Sequence, residues 1–394
     1  MNPQQTPART VVLLGALIAL PALGTDLYNP ALPALAAALG AGVSAAQLTV
    51  TTYFIGLAGG QLVWGPLSDR LGRRPALLAS LALMLVSSLA AALAGSVAEV
   101  AAARLGQGFA MSSGAVVVRS IVRDLYVHER AAKLLASVTI VFSIVPIAAP
   151  LAGAALAGTG GWRAIFWFLC AAATILIAAT GFGLAETAPA ERRSARPLAI
   201  ARTLGSIITD RRFVAPLLLV VCSHIGILAW VSNSAFTLMR GLGVSILGYS
   251  LMFAAVMLGQ ILGAWSSSRL VMRLGISRLL RTGTRVMLVG GVAAAALAWT
   301  GQDHWLAVVL PYAVFLFGTA LVVPNATASA LSPFPATAGA ASSLVGAIGF
   351  TAGALVSTLL AAGFDGSARP MTAMAALAGL GAVAFERFVR RGKA

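Results

Sequence analysis

The sequence predicts an all-α integral membrane protein of twelve transmembrane helices, arranged as two six-helix halves that repeat one another. Three observations carry this reading. Of 394 residues, 59% are hydrophobic and 10% charged, and a soluble chain of this length needs far more polar surface. The apolar residues come in runs of about twenty, the length that crosses roughly 30 Å of hydrocarbon. The basic residues fall in short clusters between those runs, on one side of the implied membrane.

Breaking the hydropathy at glycine, proline and charge clusters places spans at 11–33, 46–66, 76–95, 100–121, 134–157 and 163–185. Six more follow at 213–236, 246–266, 282–300, 305–330, 338–362 and 370–388. Between the sets lies a polar segment with Glu191, Arg192, Arg193, Arg196, Arg202, Asp210, Arg211 and Arg212. The expected organisation is therefore a first half at 1–185, a linker at 186–212 and a second half at 213–394. The first apolar run follows Arg9, and Ala22-Leu23-Gly24 has the small residues of a signal-cleavage site. The run resumes past that point, so it reads as an uncleaved first span.

The basic residues then sort by side. Arg9, Arg70, Arg73, Arg74, Arg123, Arg130, Lys133, the linker arginines, Arg269, Arg273, Arg278, Arg281, Arg387, Arg390, Arg391 and Lys393 share one side. The other side has Arg163, Arg240 and Arg369, and its first loop, near 34–46, is uncharged. Positively charged loops stay in the cytoplasm. Both termini and the linker are expected there, in a multi-pass protein of a bacterial inner membrane.

A net charge of +16 suits a phosphate partner, but no basic segment is long enough to fold into a patch, so no nucleic-acid partner is expected. Cys170 and Cys222 lie in apolar runs and are too few for a disulfide framework or metal site. There is no Gly-x-x-x-x-Gly-Lys loop for ATP and no nucleophile–base constellation. The chain reads as a monomer that is not an enzyme, with no metal or cofactor, whose partners are the bilayer and a small hydrophobic molecule.

The halves echo each other. Arg70-Leu71-Gly72 follows span 2, and Arg273-Leu274-Gly275 follows span 8, 203 positions later. Two six-span halves joined by a charged segment is a plan of secondary transporters, whose substrate sits between the halves at mid-membrane.

Ten of the eleven acidic residues map to loops or span ends, and Asp26 alone sits well inside a span. A carboxylate in hydrocarbon costs several kcal/mol, so it faces the protein interior, finds a partner or holds a proton. Burial favours its neutral form and a nearby cation its charged form. A carboxyl poised between the two can load a proton on one side and release it on the other. The alternative is a structural carboxyl at a broken helix, given Pro21, Pro30 and Pro33 nearby. At 1.5 Å per residue, Asp26 lies ~9 Å and Arg104 ~6 Å below the outer ends of spans 1 and 4. That shared layer makes Arg104 a candidate partner, paired or facing a cavity, against the alternative of snorkelling outward.

Candidate substrate contacts are polar and aromatic residues near mid-span: Tyr28, Asn29, Tyr53, Gln107, Trp230, Asn233, Phe236, Tyr312 and Asn325. A mostly apolar pocket with few polar anchors suits neutral, drug-like ligands. His224 reads as a satisfied helix-interface residue.

The segment Gly65-Pro66-Leu67-Ser68-Asp69-Arg70-Leu71-Gly72-Arg73-Arg74-Pro75 is the most specific motif. Gly65 permits close helix approach, and Gly72 with Pro75 makes a tight turn. Asp69 can meet the N-terminal end of another helix or an arginine such as Arg119, forming a latch that holds one conformation.

This segment resembles the loop 2–3 signature of the major facilitator superfamily. Arg104-Leu105-Gly106-Gln107-Gly108 is similar to the span-4 arginine motif of its drug/proton antiporters, where the arginine is associated with proton transfer. Ala149-Pro150-Leu151-Ala152-Gly153 resembles their span-5 antiporter motif, with Pro150 and Gly153 kept and Ala149 and Ala154 replacing glycines. Asp26-Leu27-Tyr28-Asn29-Pro30-Ala31-Leu32-Pro33 looks like the span-1 element of the Bcr/CflA exporters of bicyclomycin and chloramphenicol. So do Val122-Arg123-Asp124-Leu125-Tyr126, Gly161-Trp162-Arg163 and Pro324-Asn325-Ala326-Thr327. The resemblance implies proton antiport and export of hydrophobic antimicrobials. The second half departs from the loop signature, with Met272 where Asp69 would repeat.

The expectation is a proton-coupled antiporter in which Asp26 carries the proton and Arg104 tunes its charge. A metabolite transporter for sugars, amino acids or nucleosides, exporting or importing on the same scaffold, is the alternative.

Overall fold

The computed structural model describes residues 8–125, 128–188, 197–301 and 304–391. Its elements are α1 (Ala8–Asp26), a 3₁₀ turn (Asn29–Ala31), α2 (Leu32–Ala38), α3 (Val43–Leu71), α4 (Arg73–Leu93), α5 (Val97–Leu125) and α6 (His128–Gly183). There follow α7 (Pro197–Ile208), α8 (Arg211–Ala235) with a π-turn (Phe236–Gly241), α9 (Ile246–Leu274), α10 (Ile276–Trp299), α11 (Leu306–Leu331), α12 (Ala338–Ala362) and α13 (Arg369–Arg391). Tyr126, Glu191, Arg192, Arg193, Arg196, Lys393 and the side chains of Arg130, Lys133, Arg390 and Arg391 lie outside the described residues.

Ten helical stretches among the described residues are long and apolar enough to cross a bilayer. Two features raise this to twelve spans. First, α6 has 56 residues, more than twice what the hydrocarbon accommodates, and it breaks at Gly161 (φ 68°, ψ −176°). A side chain strongly disfavours that conformation, so the glycine divides α6 into spans 5 and 6. Second, α3 has 29 residues and spans geometrically, but Gln47, Thr49, Thr51 and Tyr53 lower its hydropathy. All four are buried against other helices, so the polarity faces protein and not lipid.

In lipid, helices associate where small residues let backbones meet. The contact of α3 with α5 is built this way. A Cβ at Gly56 would collide with the Leu105 carbonyl, and one at Gly108 with the Tyr53 carbonyl. Gly65 does not serve the close approach expected of it. A Cβ there would meet Val116 at 3.6 Å, an ordinary contact, because the helices have already diverged by that turn.

The bundle has a basic end, carrying the turns after α3 and α9, and a neutral end. The three arginines at the neutral end each reach backbone carbonyls. Arg163 donates to Ala92 and Ala94 (3.2 and 2.8 Å) at the C-terminus of α4, and Arg369 to Ala298 (3.4 Å) at the C-terminus of α10. Arg240 donates to Pro33 (3.4 Å). Cations at helix C-termini offset the partial negative charge there, which explains the place of Arg163 and Arg369 on a face with few basic residues.

The expected polar linker contains a helix, α7, followed by a cap: Asp210 accepts the Arg212 backbone N–H at 2.8 Å and starts α8.

Candidate functional site

The site begins with a helix that the sequence cannot continue. Pro30 lacks an N–H, and in a helix its ring would strike the carbonyl four residues back, which is that of Asp26. Accordingly α1 stops at Asp26. The next bonds tighten, with Tyr28 N–H donating to Thr25 (3.1 Å) and Ala31 N–H to Tyr28 (3.0 Å). The span-5 part of α6 closes on this break: a Cβ at Gly153 would collide with the Leu27 carbonyl.

Two residues hold the end of α1 from the side. Tyr53 donates its hydroxyl to the Pro21 carbonyl at 2.7 Å. Arg104 donates Nη1 to the Gly24 carbonyl at 2.8 Å and to Gln107 Oε1 at 3.0 Å. Gln107 Nε2 donates onward to Ser88 Oγ at 2.7 Å. The guanidinium is sandwiched between rings, 4.4 Å from the Tyr28 centroid and 4.0 Å from that of Tyr53. Such stacking stabilises a desolvated cation by about 2 kcal/mol. Arg104 is fully buried, and its Nε and Nη2 have no hydrogen-bond partner.

Arg104 therefore grips the backbone two residues before Asp26 and makes no ion pair with its carboxylate among the described residues. Asp26 is 7% exposed, and no described residue hydrogen-bonds its carboxyl. The 3₁₀ turn that follows Asp26 packs against α8 and α9 of the second half, which puts the carboxyl at the seam between the halves. A buried carboxyl without a donor is strongly destabilised as an anion.

The seam itself is sealed toward the neutral end. Ser44 donates to the Ala361 carbonyl (2.7 Å), Thr51 meets Thr358 (2.9 Å), and Gln47 Nε2 donates to Asn233 Oδ1 (3.0 Å) and the Ser232 carbonyl (3.2 Å). Ser250 on α9 donates to the Pro150 carbonyl at 2.9 Å, which makes the Pro150 element a contact between halves. Phe54 and Phe350 stack across the same seam at 5.7 Å. Near the basic end, Arg119 Nη1 donates to Ser342 Oγ at 3.3 Å.

The candidate substrate contacts do not form one pocket. Tyr28, Tyr53 and Gln107 gather around Arg104. Asn29 and Asn233 lie at the sealed seam, with both Asn29 amide atoms buried and unpartnered, whereas Trp230 packs on Phe253 and Tyr312 within the second half with its Nε1 buried and unpartnered. Phe236 packs on Phe364 at the neutral end. Tyr312 is inside the second half, donating to the Gly226 and Met371 carbonyls (3.3 and 3.5 Å) and stacked with Trp230. Asn325 ties α11 to α9 through Ser267 Oγ (2.9 Å), only two turns from the basic end. Depth and polarity chose these residues, but the rotation of each helix decides which way they face.

The turn after α3 also differs from expectation. Asp69 pairs with Arg73 (2.5 Å), not with Arg119, because the Gly72 turn (φ 102°) folds the start of α4 back over the end of α3. Arg73 is 5% exposed and bridges Asp69, Asp124 (2.9 Å) and Ser68 (2.8 Å). Arg70 projects outward and is exposed. Glu186, which sequence reasoning left unassigned, accepts the backbone N–H groups of Arg73 (2.8 Å) and Arg74 (3.2 Å) and so caps α4. An acidic residue just beyond a span end was the available signal.

The family model of the Major Facilitator Superfamily matches residues 14–358. The chain is 31% identical to the chloramphenicol resistance protein of Pseudomonas aeruginosa, over 87% of this chain and 81% of that one. It is 30% identical to multidrug resistance protein D of Escherichia coli (88% and 86% covered) and 28% to the bicyclomycin resistance protein homolog of Haemophilus influenzae (89% and 88%). Among solved structures it resembles a D-xylose–proton symporter, with a TM-score of 0.73, 18% identity and 94% and 96% of the two chains covered. With a broken first span, a Gly-turned repeat and a family match over most of its length, this chain belongs to the major facilitator superfamily.

Proposed function

We propose that the protein is a proton-coupled antiporter that exports small hydrophobic compounds, of the amphenicol or bicyclomycin kind, by rocking its halves about the seam. The observation that carries this is the Asp26 carboxyl, buried at the seam on a helix break with no partner, beside a cation committed to the backbone. As an acid it is neutral and tolerated. Once a path to the other side opens, it loses the proton and becomes an anion that favours reopening. Arg104, held by Gly24, ties the position of the break to α5, so a change in charge at Asp26 moves the helices that line the seam. Relatives named for resistance to chloramphenicol, bicyclomycin and multiple drugs support the substrate class.

The excess of arginine at the basic end supports a cytoplasmic face there, with both termini on that side of a bacterial inner membrane. The energy source is the proton gradient, and the protein acts as a monomer without cofactor, metal, nucleic-acid partner or covalent chemistry. In everted vesicles with an acidic lumen, adding chloramphenicol, bicyclomycin or a cationic dye is expected to alkalinise the lumen as substrate enters. Substrate accumulation without proton release, or no response to any of these compounds, would contradict the assignment.

A further inference from the structure

His224 sits halfway along α8 and is half-buried. Its Nδ1 lies 2.9 Å from the Val220 carbonyl. A carbonyl only accepts, so Nδ1 carries a hydrogen, and in the neutral ring Nε2 offers a lone pair. No described residue bonds that Nε2. The sequence reading of a satisfied histidine thus holds for one nitrogen and not for the other.

The direction of the ring follows from its neighbours. Cys222, Ser223 and Gly226 of α8 face the interior of the second half, toward Gly381, Met287 and Phe315. At 100° per residue His224 lies about 160–200° from Cys222 and Gly226, and so points to α12 and the seam. There it meets Phe350 edge-on, with centroids 5.0 Å apart and planes at 88°. Phe350 in turn stacks on Phe54 of the first half at 5.7 Å and 16°. A Cβ at Gly349 would sit 3.1 Å from the imidazole, so a small residue leaves the ring its room. The stack crosses the seam, and rocking the halves apart must open it.

We propose that His224, Phe350 and Phe54 form a substrate subsite for a neutral planar aromatic ring bearing an amide N–H donor. The ring takes the place of one phenyl in the stack, and the donor bonds His224 Nε2. A proton at Nε2 removes that lone pair, so proton and substrate compete for a single atom. Among charged groups, Arg119 of α5 reaches α12 at Ser342, about two turns toward the basic end from Gly349. On α8 the ionisable groups are Asp210, Arg211 and Arg212 at the basic end and Cys222 on the opposite face, and α12 has none. On α3 there are Tyr53 and, at the far end, Asp69 and Arg70; α11 contributes Tyr312, α7 Arg202, and α13 Arg369, Glu386, Arg387, Arg390 and Arg391 toward its ends. The subsite rests on the export reading above, but its test uses no gradient.

The test is equilibrium binding of chloramphenicol to the purified Asp26→Asn protein between pH 8 and pH 5, with an N-methylated form that keeps the ring and both hydroxyls and loses the amide donor. Chloramphenicol affinity is expected to fall as pH drops, approaching tenfold per unit once His224 is protonated. In the same Asp26→Asn background, His224→Gln is expected to bind with no pH dependence and Phe350→Leu several-fold more weakly at every pH with the slope intact, while the N-methylated form binds weakly and without slope. Flat chloramphenicol binding in Asp26→Asn, the same slope in Asp26→Asn/His224→Gln, or no binding to any form would overturn the subsite. Failure of the export reading would show separately, in the vesicle assay, and leave these slopes readable.

Discussion

The turn between α3 and α4 and the turn between α9 and α10 share a backbone and differ in chemistry. Gly72 (φ 102°, ψ 158°) and Gly275 (φ 75°, ψ 160°) occupy the same glycine-favouring region, 203 positions apart. At the first turn Arg73 draws in Asp69, Asp124 and Ser68, and Glu186 caps the next helix. At the second, Met272 replaces Asp69 and is 90% exposed, and Ile276 replaces Arg73. Among the described residues, the basic end of the second half has a 4.0 Å contact of Arg281 with Glu386 and the local Asp210–Arg212 pair at the start of α8 (2.9 Å). The repeat has preserved the geometry that turns the chain and confined the ionic network to one half. A fold can thus be duplicated while its ionic network is not.

The comparison breaks most visibly at Arg73. Arg73→Ala leaves Asp124 buried without its cation, at a cost of about 3–5 kcal/mol, whereas Ile276→Ala at the equivalent place costs under ~2 kcal/mol. Thermal midpoints in detergent are expected to fall much further for the first; equal losses would mean the network carries no stability. Next come the glycines. A side chain in this backbone region costs about 1–3 kcal/mol, so Gly72→Ala and Gly275→Ala both destabilise. Gly72→Ala is expected to be worse, because its Cβ also strikes the Glu186 carboxyl while that at Gly275 meets nothing.

Smaller is the effect of acid on the cap. Burial pushes the Glu186 carboxyl up, but the backbone N–H groups of Ala188, Arg73, Thr187 and Arg74 outweigh it and hold the group below its ordinary value. A lowered value means the cap stabilises the fold above the unfolded carboxylate pKa of about 4.3 and is lost as pH falls through the folded one. Amide exchange at Arg73 and Arg74 is expected to lose protection over that acid window, and in Glu186→Gln at neutral pH, while Ile276 is unchanged. Smallest is Met272→Asp, which restores the missing acid where Ile276 offers no cation, and whose midpoint is expected to stay within ~0.5 kcal/mol.

Much of the fold was legible because lipid imposes a length on every apolar run. Even the polar α3 was found, since Gly and charge marked its ends. The helix break at Asp26 could be read from Pro30, because proline's defect is local. The partner of Arg104 could not: its acceptor is a backbone carbonyl on another helix, and every residue carries one. Glu186 and the α4 terminus lie more than 110 residues apart, and only the return of α6 joins them. The scattered substrate candidates show the same limit, since depth follows from counting residues and facing does not. His224 and Phe350 were passed over as ordinary span residues, although a histidine within an apolar run was signal enough to ask what its second nitrogen met.

The export mechanism rests on Asp26, and the most direct measurement separates proton movement from substrate movement in one preparation. At pH 8, where an imidazole is neutral, proteoliposomes of Asp26→Asn should fold and exchange labelled chloramphenicol for unlabelled across the membrane, yet release no protons on substrate addition and concentrate nothing against a pH gradient. Substrate-driven proton movement equal to that of the unaltered protein would show that another group carries the proton.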